Sequence, residues 1–284
     1  MDDKDREAGS VAAGQQAAQQ GVAGTGRRGR AAFGTALVYL RTMAVFGLVW
    51  HLASLQLANP VLLPSPLAVA DSLRQLAVDG ELFAEAIVSL RRLSVSFLLA
   101  GAVGIPLGLA MGLSPLLHDL VDPLVEMLRP ISGIAWIPLG MFILGVGEEL
   151  PVAIMFYGAL FPFLINTIAG VRATDPRLVQ AARTLGIGQG PVLRHVVLPS
   201  ALPNILVGAR LAAGASWMSM VAAELIGAPS GLGFAIEWYR ELLMTPKMMA
   251  FIFMVGLLGY LVDRLLRMAQ RRLTPWIDVA EGRA

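Results

Sequence analysis

Several stretches of about twenty residues carry no charge, and nothing else constrains this chain as strongly. Leu93 to Leu117 and Leu150 to Val171 each pass without an acidic or basic side chain. About 20 mainly apolar residues in a helix cross the roughly 30 Å of hydrocarbon in a bilayer. Scanning on that basis predicts an all-α membrane protein with six transmembrane helices, near 35–55, 86–112, 124–146, 150–171, 203–225 and 248–268. With hydrophobic residues at 56%, charged residues at 15% and a mean hydropathy of +0.67, too few charges remain to coat a water-facing surface. A soluble globular enzyme is excluded on that ground.

The chain has no cysteine, which removes disulfides, thiolate metal sites and cysteine nucleophiles. Its histidines, His51, His118 and His195, are scattered, so no metal site is expected. Residues 1–32 are rich in Ala, Gly and Gln, lack aromatics and end in Arg27, Arg28 and Arg30. Such a segment cannot bury enough apolar surface to offset the entropy of ordering and reads as a disordered tail. A transmembrane domain then covers 33–276, and 277–284 is a second short tail. With the N-terminus placed in the cytoplasm, six spans return the C-terminus there. The loops on that side, Arg129 counted among them, hold fifteen Lys and Arg against three opposite, at Arg74, Arg240 and Lys247. That is a strong positive-inside bias.

Pro64 and Pro66 break the chain after the first span, and Leu67, Ala70, Leu73 and Ala77 then recur at helical spacing, predicting a short amphipathic surface helix. A glycine pair at Gly231 and Gly233 predicts a tight turn before a second short helix in the last outer loop. Gly101, Gly104, Gly108 and Gly112 recur every three or four residues, the pattern of close helix packing in membranes. Pro106 and Pro138 are expected to kink their helices.

The loop over 175–203 is the most informative segment. Asp175 suits an N-cap, Pro176 the first helical position and Gly186 the position past the end, predicting a helix over 176–185. Leu178, Ala182 and Leu185 share one face of it. A second short helix should run from Pro191 to just before Pro199, after which Ser200 caps the fifth span. A long loop that keeps its own helices is usually functional; the plain alternative is an ordinary helical hairpin.

The residue pattern goes further. Gln180-Ala181-Ala182, Arg183, Gly186, Val196 and Leu198-Pro199 resemble the EAA loop of permease subunits of ATP-binding-cassette (ABC) importers. Leu63-Pro64-Ser65-Pro66, Gly104-Ile105-Pro106-Leu107-Gly108, Arg129-Pro130 and Ala135-Trp136-Ile137-Pro138-Leu139 are similar to the nitrate/sulfonate/taurine branch of that family. Gln180 stands where the motif usually has glutamate and Val196 where it usually has isoleucine.

The resemblance implies a type I importer core of five helices preceded by one N-terminal helix. It also implies a homodimer, a cytoplasmic ATPase dimer that docks on the loop, and a periplasmic or lipid-anchored substrate-binding protein. The setting is the lipid of a bacterial cytoplasmic membrane, with both termini inside. Close approach to the ATPase at Ala181 and Ala182, and a turn at Gly186, are the expected roles there. No nucleic acid is implied. No Gly-x-x-x-x-Gly-Lys-Ser/Thr motif is present, so ATP and Mg are expected on the partner ATPase and this chain itself should bind no cofactor.

Polar residues inside spans are functional candidates by default. Ser132, Trp136, Asn166, Ser216, Trp217 and Ser219 are the expected lining of a pathway for a small anion, with interhelical hydrogen bonding the plainer role for each serine. Arg210 either snorkels to the surface or attracts an anionic substrate. Arg91 and Arg92 are read as anchors of the outer end of the second span, and Glu224 as a rim charge or a contact for a binding protein. The competing class is an autonomous carrier or channel, which mid-membrane carboxylates would have to serve.

Overall fold

The computed structural model describes residues 41–275, so the predicted tails at 1–32 and 277–284 and the first residues of the 35–55 span lie outside the described residues. Every regular element among the described residues is helical. They fall into two compact units, one ending at Pro66 and one starting at Leu67.

In the first unit, helix α1 covers 41–57. Trp50 Nε1 donates to the Pro64 carbonyl at 3.1 Å, so the proline-rich segment folds back on its own helix.

The second unit contains α2 (Pro66–Val78), α3 (Glu81–Leu113), α4 (Pro115–Leu128), α5 (Ile137–Leu144), α6 (Glu149–Arg172), α7 (Pro176–Thr184), α8 (Gln189–Val192), α9 (Leu198–Gly227), α10 (Leu232–Glu241) and α11 (Thr245–Leu273). Four long helices, Glu81–Leu113, Glu149–Arg172, Gln189–Gly227 and Thr245–Leu273, are long and apolar enough to cross a membrane. They correspond to the second, fourth, fifth and sixth predicted spans.

The third predicted span, 124–146, is not one helix. Its place is taken by α4 and by a 3-10 turn (Gly133–Trp136) running into α5, bent by 83° at the break. Pro130 follows the end of α4, where its missing N–H and its ring disfavour continuation. Pro138 sits in the first turn of α5, where its missing N–H costs nothing, so it starts a helix rather than kinking one.

The fifth predicted span also changes. The helix expected to stop before Pro199 does not stop. The segment from Gln189 runs unbroken to Gly227, and a π-type turn over Leu193–Val197 carries it past Pro199. Pro199 cannot donate to the carbonyl four residues back, and its ring crowds that carbonyl. The wider i→i+5 ladder, with Leu198 N–H bonded to Leu193 O, absorbs the mismatch. Ser200 therefore caps nothing.

Helix α6 occupies the centre, between α3 and α9. The glycine row on α3 explains the first contact. A Cβ at Gly104 would lie 2.9 Å from Phe163 Cβ, one at Gly108 2.7 Å from Thr167 Cβ, and one at Gly112 2.7 Å from Val171 Cβ. The two backbones meet only because these side chains are missing, which confirms the packing role. Ser216 donates to the Met155 carbonyl at 2.8 Å and ties α9 to α6, the interhelical role weighed for the serines.

Helix α2 forms where predicted, but with a different inward face. Val69, Ser72 and Leu76 are buried, while Leu67, Ala70 and Leu73 are exposed. Both sets recur at helical spacing, and spacing alone does not rank them.

Candidate functional site

The elbow forms at one end of the bundle. The Asp175 carboxylate accepts from the Arg177 N–H at 2.8 Å, and Pro176 opens α7, as the sequence requires. At the other end Gly186 has φ +75°; its N–H donates to Arg183 O at 2.9 Å, and Ile187 N–H donates to Ala182 O at 3.1 Å. This pair of bonds is a complete Schellman motif, and it requires a left-handed residue at Gly186.

The alanine pair divides. Ala181 is exposed, whereas Ala182 is buried in a cluster with Val171, Val192, Val197, Ala201 and Ile205. Ala182 therefore seals the elbow onto the bundle and is not available to a partner. Leu178 and Leu185, expected on the same face, are 53% and 78% exposed. Gln180, Arg183, Gly186 and Pro199 are exposed, Val196 is half-buried, and Leu198 lies at the edge of exposure. The elbow thus presents Leu178, Gln180, Ala181, Arg183 and Leu185 outward from a well-packed base.

A cavity of about 500 Å³ opens beside the break between α4 and α5. Its lining includes three of the expected pathway residues, Ser132, Asn166 and Ser219, together with Arg129, Tyr157 and Gly158. Arg129, assigned by charge counting to a surface loop, instead stands at the break. The Tyr157 hydroxyl donates to the neighbouring Leu128 carbonyl at 2.5 Å. Tyr157 is eight residues into α6, about 12 Å along its axis at 1.5 Å per residue. The backbone at Arg129 is therefore carried inside the length of the bundle, and its exposed side chain lines the cavity. Its guanidinium forms no ion pair among the described residues. The Arg129-Pro130 pair was the available signal: a proline inside a predicted span marks a break, and a break brings its flanking residue into the membrane's depth.

The other expected pathway residues do not line this cavity. Arg210 pairs with Asp263 at 2.8 Å, and Asp263 also holds Arg267, so the arginine ties α9 to α11. Trp217 packs against α11, where a Cβ at Gly259 would come within 2.7 Å of its Nε1. Trp136 packs against Tyr157 in a tilted arrangement, ring centroids 5.9 Å apart, behind the lining, with its indole N–H buried and unpartnered.

At the end opposite the elbow lies a cluster the sequence did not reveal. Arg92 and Glu224 are 1% and 0% exposed and pair at 3.0 Å. All five guanidinium N–H groups of Arg92 are used. Nε and one Nη bind the two Glu148 carboxylate oxygens at 3.1 and 2.5 Å, and the remaining donors reach Glu224, the Ser230 carbonyl and the Ser230 hydroxyl. Arg91 pairs with Glu148 at the surface, at 2.6 Å. The guanidinium of Arg92, then that of Arg91, holds the Glu148 carboxyl below the usual glutamate range. Glu224 is neither a rim charge nor a docking contact. Nearby, the Tyr239 hydroxyl donates to Glu81 at 2.8 Å, and burial followed by that carboxylate pushes the phenol up to about 12. Glu224 lies 132 residues from Arg92, a separation at which no local pattern operates.

Comparison with known proteins agrees with this architecture. The model of the family described as "binding-protein-dependent transport system inner membrane component" matches residues 104–275. The chain is 38% identical to the taurine transport system permease protein TauC of Escherichia coli (strain K12), over 83% of this chain and 88% of that protein. It is 34% identical to the putative aliphatic sulfonates transport permease protein SsuC of Bacillus subtilis (strain 168), over 84% and 87%. Among solved structures, the fold is similar to a chain of the MetNI methionine ABC transporter in an inward-facing conformation, with a TM-score of 0.59 at 20% identity, covering 68% of this chain and 96% of that one. An all-helical bundle with an elbow on one end, a broken span beside a polar cavity and this run of matches leads to one assignment: the chain belongs to the inner-membrane permease family of binding-protein-dependent ABC importers.

Proposed function

We propose that this permease carries a small oxyanion, an aliphatic sulfonate such as taurine in the first instance, through the cavity at the α4–α5 break. One observation carries the reading. Arg129 is a cation without an ion-pair partner among the described residues, held at depth beside Ser132, Asn166 and Ser219. A charge in that position is expensive unless it serves a pathway. A guanidinium offers the planar donor fork that matches a sulfonate, nitrate or bicarbonate. The relatives named for taurine and aliphatic sulfonates support the same substrate class. Arg129 takes the role first considered for Arg210.

The family's organisation supports the rest of the assembly proposed for this chain. Two copies form the pathway, and an ATPase dimer, which holds ATP and Mg, docks on the exposed elbow residues Gln180, Ala181 and Arg183. A periplasmic or lipid-anchored binding protein delivers the substrate to the opposite end. The membrane is the cytoplasmic membrane of a bacterium, and both termini are inside.

The test is uptake of radiolabelled taurine by proteoliposomes containing the permease, its ATPase and its binding protein. Arg129→Gln should abolish uptake while the ATPase still copurifies, and Arg129→Lys should retain part of it. Full uptake by Arg129→Gln would refute the role of this residue. Accumulation by the permease alone would refute the importer reading.

A further inference from the structure

Helix α10 has no N-cap of its own. It opens at Gly231, and no side chain of that residue or its neighbours satisfies its first N–H groups. Those donors are taken up from other helices. Gly231 N–H bonds Glu85 on α3, Leu232 N–H bonds Ser89 Oγ on α3 at 2.8 Å, and Gly233 N–H bonds Glu224 on α9 at 3.0 Å. Ser89 Oγ in turn donates to the Glu224 carboxylate at 2.8 Å. Ser230, which by position could have capped the helix, is spent on Arg92. The carboxylates lie where the positive end of the α10 dipole favours them. A Cβ on Gly231, which has φ +108°, would fall 2.5 Å from the Glu224 carboxyl carbon, so the turn is shaped around that group.

A buried ion pair is a weak source of net stability, because desolvation offsets most of the attraction. An apolar contact would hold the same helices at least as well. What the polar cluster supplies is directional, fully satisfied geometry: it fixes the orientation of α10 relative to α3, α9 and the start of α6 at once.

We propose that Ser89, Arg92 and Glu224 are positioning residues for transport. They lock α10 to the end of α3 and to the ends of the cavity-lining helices α6 and α9, so that displacement of α10 moves those ends as one piece. Helix α10 lies at the end of the bundle opposite the elbow, which in the importer reading is the face met by the binding protein; the inference rests on that reading. Docking there then reaches the helices through this cluster and is lost when the α10 turn is free to pivot.

The test uses the intact transporter, permease with ATPase, in nanodiscs, with and without its substrate-loaded binding protein. Glu224→Gln keeps the size and, with its amide oxygen in the Oε2 position, the hydrogen bonds from Ser89 and Gly233, but turns an NH2 toward Arg92 in place of the charge. The variant should assemble, keep the basal ATPase rate, and lose about tenfold in stimulation by the binding protein, within the usual range of coupling between sites. Arg92→Lys should lose stimulation in the same direction. Arg92→Lys combined with Glu224→Gln should lose no more than the worse single variant, because both act on one contact. A purely structural role would instead lower yield and basal rate together. Wild-type stimulation in Glu224→Gln overturns the proposal. Absence of stimulation in the wild type overturns the importer reading instead.

Amide hydrogen exchange on the wild-type complex decides the matter if the variants do not assemble. The Leu232 and Gly233 amides should stay protected with and without binding protein. Rapid exchange in either state overturns the proposal.

Discussion

Gly108→Ala places the α3–α6 contact under direct test. In an exposed helix, glycine to alanine gains up to about 1 kcal/mol. At Gly108 the added Cβ would stand 2.7 Å from Thr167 Cβ and 2.9 Å from the Leu164 carbonyl oxygen. Carbon pairs prefer about 3.5–4.0 Å, so α3 and α6 must separate by roughly 1 Å. The carbonyl is backbone and cannot rotate away. The separation cannot stay local, because Gly104 and Gly112 approach α6 as closely on the same face, where Cβ atoms would fall 2.9 and 2.7 Å from its side chains. Overpacking costs about 1–3 kcal/mol; because the backbone oxygen cannot yield, the upper part of that range, about 2–3 kcal/mol, applies here, and after the propensity gain the net loss is about 1–2 kcal/mol. At about 2–4 °C per kcal/mol for a chain of this size, the unfolding midpoint should fall by about 2–8 °C. The assay is thermal unfolding of the purified permease in detergent, read by intrinsic fluorescence. Gly256→Ala on α11, where an added Cβ meets nothing within 4 Å, is the control and should not lower the midpoint. A Gly108→Ala midpoint at or above wild type would refute the close approach of α3 and α6.

Ala182→Asp and Ala181→Asp should fail differently. The first buries a charge in the elbow's core and should expose the 176–205 segment to protease, whereas the second should leave the elbow protease-resistant and reduce ATPase copurification; equal protease sensitivity would count against the assigned burial. Leu243 follows α10 with φ +56°, and Leu243→Gly should raise the unfolding midpoint by about 2–4 °C, since a left-handed non-glycine residue costs roughly 1 kcal/mol. Glu148 is held below its ordinary value of 4.5 by Arg92 and Arg91. The stability it contributes is therefore present above that value and lost as pH falls through and below it. Thermal unfolding between pH 7 and pH 3 should show a shallower loss for Glu148→Gln, and superimposable profiles would refute the pairing.

Much of the fold was legible in the chain because its signals are local. Charge-free windows located four long helices to within a few residues, apart from their buried or protruding ends. Asp175, Pro176 and Gly186 placed α7 because capping depends on donors and acceptors within one turn. The failures have equally physical causes. A hydropathy window averages over a break, so it drew one span across α4 and α5 and put Arg129 in a loop. The i→i+5 turn before Pro199 could not be read, since proline normally ends a helix and only the surrounding packing decides whether the chain continues. Ala182 appeared as a contact residue because alanine fits either a packed base or a docked surface.

By itself, then, the sequence determined that this chain spans a membrane as a set of helices, where the elbow begins and ends, and which glycines let helices meet. Each of those follows from neighbours within a few turns. Only the tertiary structure decided which polar groups face a cavity and which face each other. Arg129 and Arg210 look alike in sequence, yet one stands beside the cavity without an ion-pair partner and the other pairs with Asp263, 53 residues away. Arg92 and Glu224 look like two surface charges, yet they form one buried pair. Charge pairing and desolvation depend on distances between residues far apart in the chain, and those distances exist only once the helices have packed.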